Sequence, residues 1–121
     1  MGYRSDITVV VYGNGCNAEK YETLKVLMAT TFAKVLKEWE SDVEWNNKNK
    51  ALIFRIMGVK WYPGDPDVQE FMSMLHTLSG ELEFNYEMVR LGEEAEDVAF
   101  ATGGEDVDYI LQVERSAAIN F

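Results

Sequence analysis

Apolar residues along this chain fall into blocks whose spacing changes from one to the next. Residues Ile7 to Tyr12 are β-branched and almost continuously apolar, which predicts a strand buried on both faces at the centre of a sheet. Gly13-Asn14-Gly15 ends it, and Asn17 is placed to cap a helix. Tyr21, Leu24, Met28, Phe32, Val35 and Trp39 then recur every three or four positions. That stripe predicts one amphipathic helix from about Ala18 to Glu40. Val43 to Trp45 alternates, Asn46 to Lys50 is rich in turn residues, and Ala51 to Met57 is apolar again, so the pair predicts a β-hairpin.

The densest local signal is Gly58 to Asp67. Gly58 permits a bend or bulge, and Pro63-Gly64 predicts a turn. Asp65 followed by Pro66 predicts a helix start, with Asp at the cap and Pro at the first helical position. Val68, Phe71, Met72, Leu75 and Leu78 form the buried stripe, and Gly80 marks the end. From Leu82 to Leu91, apolar Leu82, Phe84, Tyr86 and Met88 alternate with polar Glu83, Asn85 and Glu87, the pattern of a half-exposed strand. Val98 to Thr102 and Tyr109 to Arg115 predict two more strands, and Ser116 to Phe121 carries no clear pattern. The order β-α-β-β-α-β, followed by C-terminal strands, predicts a two-layer α+β domain over residues 1–121, ferredoxin-like, with both helices on one face. The other sheet face must then be covered, with the C-terminal strands or a second copy in a homodimer as candidates.

Charge changes this picture. The chain of 121 residues carries a formal charge of -10. Residues 1–60 hold nine bases and seven acids, a net +2, whereas residues 61–121 hold two bases and fourteen acids, a net -12. Nucleic-acid affinity comes largely from neutralising phosphates, so the second half argues against direct nucleic-acid binding. It favours a protein partner with a basic surface. Asp65, Asp67, Glu70, Glu93, Glu94, Glu96, Asp97, Glu105, Asp106 and Asp108 fall in predicted loops and helix starts. Displayed together they would mimic a phosphate backbone, with Trp61 and Tyr62 as aromatic anchors.

Residues that could carry a reaction are sparse. Cys16 and His76 are the single Cys and His, and nothing in their spacing joins them as nucleophile and base. A lone Cys excludes a disulfide framework and suits a reducing compartment. The Gly13–Gly15 loop lacks the third glycine of a dinucleotide site, Ala18 standing there instead; a small-ligand or nucleotide sensor built on it is the alternative function. The acidic loop could hold a cation through oxygen ligands, but its spacing is not that of an EF-hand, and solvated acids are the simpler reading. Carboxylate chemistry is a third function. No cofactor is expected, and no stretch reaches the roughly 20 apolar residues of a membrane span.

Met1-Gly-Tyr-Arg-Ser-Asp6, Lys60-Trp-Tyr62 with Asp67-Val68, and Arg90-Leu-Gly-Glu-Glu94 with Asp97-Val98 resemble a group of small uncharacterised bacteriophage proteins. The resemblance implies a phage or prophage gene acting in bacterial cytoplasm. Small acidic phage proteins include accessory factors that bind and block a host protein, anti-CRISPR and other anti-defence proteins among them. By that analogy the expected function is non-enzymatic inhibition of a host protein that handles nucleic acid or serves defence.

Overall fold

A computed structural model describes residues 4–15, 17–39, 43–62, 64–94, 97–105, 107, 109–113 and 117–119. Among these described residues it is an α+β structure with a five-stranded antiparallel sheet and three helices. The elements run β1 (Ser5–Tyr12), α1 (Ala18–Ala29), α2 (Ala33–Glu38), β2 (Val43–Asn46), β3 (Ala51–Val59), α3 (Pro66–Gly80), β4 (Asn85–Leu91), β5 (Val98–Gly103), β6 (Leu111–Val113) and β7 (Ala117–Ile119). The main sheet has the order β2-β3-β1-β4-β5, and β6 pairs with β7 as a separate ribbon. The five-stranded sheet as a whole is not the standard ferredoxin arrangement.

β1 is central because its residues are apolar on both sides. Ile7, Val9 and Val11 point to the helical layer, where they join Leu24 and Met28 of α1, Phe54 and Ile56 of β3, and Phe71 and Leu75 of α3. Val10 and Tyr12 point the other way, into a second cluster with Ile53, Val89, Ile110 and Leu111. The second sheet face is thus covered by the C-terminal segment.

One buried carboxyl ties that cover down. Glu87, fully buried on β4, accepts hydrogen bonds from the Tyr12 hydroxyl at 2.5 Å and from the backbone N–H groups of Ile110 and Leu111 at 3.1 and 3.0 Å. A buried polar group costs free energy unless it is bonded, and here three donors, one from β1 and two from the C-terminal segment, meet one carboxyl group. The sequence pattern placed Glu87 and Asn85 on a solvent face. Both are buried, because the face they occupy lies under the cover.

The predicted long helix is two helices. Thr30 caps α1 with its backbone out of helical geometry, its N–H bonded to the Leu27 carbonyl and its Oγ1 to the Val26 carbonyl at 2.7 Å. A hydroxyl that competes for the preceding carbonyls, on a β-branched residue, favours a break at Thr30-Thr31. Asn17 caps α1 by accepting from the N–H of Glu19 and Lys20 at 2.8 and 3.2 Å. Asp65 occupies the cap position of α3 with Pro66 following, but its side chain makes no capping bond. Gly58 has φ of 62° in β3, where the pairing with β1 slips between Ser5 and Ile7; this is the expected bulge. Of the strand predicted over Tyr109 to Arg115, Leu111–Val113 forms β6 and pairs with β7, Tyr109 and Ile110 precede it, and Glu114 and Arg115 lie outside the described residues.

The substitution Glu87→Gln keeps the size of the side chain and turns an amide NH2 toward a donor. Urea unfolding should show a loss of about 1–3 kcal/mol; a change under about 0.5 kcal/mol, ordinary for a surface site, would remove Glu87 as the anchor of the cover.

Candidate functional site

Strand register defines two ends of the sheet. Ser5 pairs with Val59, Asp6 with Leu91, and Leu91 with Val98. This first end therefore gathers the start of β1, the ends of β3 and β4, and the start of β5. Asp65 and Asp67 enter from the same end, because α3 follows the end of β3. At the second end, Tyr12 pairs with Ala51 and Asn85, and Tyr86 with Gly103.

The acidic residues divide between these ends. Asp65, Asp67, Glu93, Glu94 and Asp97 lie at the first. Asp67, Glu93 and Glu94 are exposed, while Asp65 and Asp97 are half-buried. Glu105 is exposed at the second end. Glu70 lies in the first turns of α3 and meets Lys34 of α2 at 3.2 Å. Glu96, Asp106 and Asp108 lie outside the described residues, as does Cys16. Among the described residues, no group of three or more His, Cys, Asp or Glu side chains is arranged to hold a metal ion.

Several of these acids serve the fold. Asp97 pairs with the Arg90 guanidinium through two bonds, at 2.7 and 3.1 Å, and Arg90 also reaches Ser5 Oγ at 3.4 Å. A forked pair of this kind fixes geometry better than a point charge does. The Glu93 carboxyl accepts from the Arg4 N–H at 3.0 Å, and Asp6 accepts from the Gly58 N–H at 2.8 Å. The acidic loop is thereby tied to the start of β1.

The two aromatic residues separate. Trp61 is buried, 5.6 Å from Phe71 edge-on and 5.9 Å from Trp39; it belongs to the core, and the little surface it keeps lines a cleft instead of projecting as an anchor. Tyr62 is 39% exposed at the acidic end. Burial pushes the Tyr21 and Tyr86 phenols above their usual value, and neither belongs to the acidic end.

The glycine loop serves packing and turning. A Cβ on Gly13 would meet Lys20 Cβ at 2.3 Å, and Gly15 has φ of 67°. Lys20 itself donates to the Leu82 carbonyl at 2.9 Å. Both glycines are thus accounted for without a phosphate.

Sequence patterning missed two features. Beside α3 an apolar groove of about 550 Å³ runs past Val68, Met72 and His76 to Trp61 and Met88, and a second cleft continues from Trp61 and Met88 over Ala99 and Ala101 of β5. On the opposite face of β5, Phe100 stacks on Tyr109 with centroids 6.3 Å apart; they are 43% and 62% exposed. Alternation in β5 hinted at these two faces, but not at what lay beneath each. No helix among the described residues is long and apolar enough to cross a membrane. No family model, curated protein or solved structure matches the chain.

Truncating Trp61 to Ala should cost about 3–5 kcal/mol in urea unfolding, whereas Tyr62→Ala should cost about 1 kcal/mol or less. Equal costs would contradict the division into a core and a surface aromatic.

Proposed function

We propose that this chain is a non-enzymatic binding protein that docks on a basic surface of another protein through the acidic end of its sheet. The observation that carries the reading is the placement of exposed Asp67, Glu93 and Glu94 on the same end of the sheet as exposed Tyr62, in a half of the chain with net charge -12. Asp97 and Glu70 contribute less, because Arg90 and Lys34 offset them. The resemblance of Met1–Asp6, Lys60–Tyr62 and Arg90–Glu94 to small phage proteins supports a phage accessory factor in bacterial cytoplasm, with a host protein that handles nucleic acid or serves defence as its target. A ferredoxin-like reading of the first four strands draws support from β3 lying between β1 and β2, the split βαβ arrangement.

Affinity capture from bacterial lysate at low and at high salt tests the reading. One stoichiometric partner should be held at low salt, lost above about 0.5 M salt, and lost by the Glu93→Lys, Glu94→Lys double variant, since exposed charges are screened within a few ångströms there. Retention of that partner in both cases would refute the role given to the acidic end.

A further inference from the structure

Sheet edges expose unpaired N–H and C=O groups, and proteins usually blunt them with charge, proline or shortness. The two edges of this sheet differ. β2 is four residues long and contains Glu44. β5 is six residues long, Val98 to Gly103, with no charged residue and no proline. It is last in the strand order, and no described strand pairs with its outer side.

The surroundings of β5 are those of a receptor for another strand. Val98 and Phe100, 44% and 43% exposed, lie on one face beside the Phe100–Tyr109 stack. Ala99 and Ala101 lie on the other, at the lip of the cleft floored by Met88 and Trp61. Side chains of an added strand alternate between faces, so one set would meet the aromatic pair and the other the cleft. Charge brackets the edge: Glu93 and Glu94 stand before β5 and Glu105 after it, all exposed.

We propose that β5 accepts an extended segment of a protein partner as a sixth strand, with small or β-branched apolar side chains at alternate positions and Lys or Arg on both flanks. Main-chain pairing would supply affinity, and the flanking charges would supply register. The proposal rests on the reading that the partner is basic, and adds how it is held. A second copy of this chain is the poorer occupant. Two-fold antiparallel pairing would bring Glu93 and Glu94 of one copy toward Glu105 of the other, where like charges oppose association.

The probe is a synthetic peptide with a six-residue centre of alternating Val and Thr, two lysines at each end and a fluorescent label, titrated with the full chain. Two further peptides carry N-methyl groups on the odd or on the even backbone amides of the centre. Strand addition predicts that one methylated series loses binding by about tenfold or more while the other retains it, because alternate amides face the sheet. Phe100→Lys should weaken the parent peptide by a similar factor without lowering the melting temperature by more than a few degrees. No binding of the parent peptide overturns the proposal. Equal binding of both methylated series, lost in high salt, also overturns strand addition while leaving the acidic-surface reading standing. Self-association of the free chain abolished by Phe100→Lys would show the edge to be occupied by a second copy and would overturn it too.

Discussion

β1 is apolar on both faces, and the rest of the structure follows from having to cover it twice. Three helices cover the side of Ile7, Val9 and Val11. The side of Val10 and Tyr12 is covered by a short C-terminal segment contributing Ile110, Leu111 and Ile119. So small an apolar patch gains little by burial alone, at about 25 cal/mol per Å². The Glu87 carboxyl adds directional bonds to the Ile110 and Leu111 backbone and to Tyr12, holding the cover in one register. Removing one partner of such a group is costly because the others remain buried.

With both faces of the central strands occupied, what remains open is the periphery: the acidic end, the groove beside α3 and the outer edge of β5. This arrangement also limits how far net charge predicts function. A charge of -10 suggests a surface of free acids, yet Glu87 is interior, Asp97 is held by Arg90, and Glu93 and Asp6 bind backbone N–H groups. Among the exposed acids, Glu93 and Glu94 precede β5 and Glu105 follows it, so an uncharged strand lies between charged ends.

Sequence signals succeeded where local chemistry decides the outcome. The β-branched block at Ile7 to Tyr12, the Asn17 cap, the Asp65-Pro66 helix start and the bulge at Gly58 each depend on residues within a few positions. Failures came where distant parts of the chain decide. The stripe from Tyr21 to Trp39 kept its period across the break at Thr30, because α1 and α2 both pack on the same core. Glu87 looked solvent-facing because alternation reports two faces without saying what covers each. Trp61 and Tyr62 are adjacent, and only packing against Phe71 and Trp39 distinguishes the core residue from the surface one.

Amide hydrogen exchange of the free chain tests most directly the contrast between a doubly covered centre and an open edge. The amides of Val9, Val10 and Val11 should exchange only through global unfolding, while the outward amides of Val98 to Gly103 should exchange orders of magnitude sooner. Protection along β5 equal to that of β1 would mean that its outer edge is already occupied, and would contradict the open edge from which strand addition is argued.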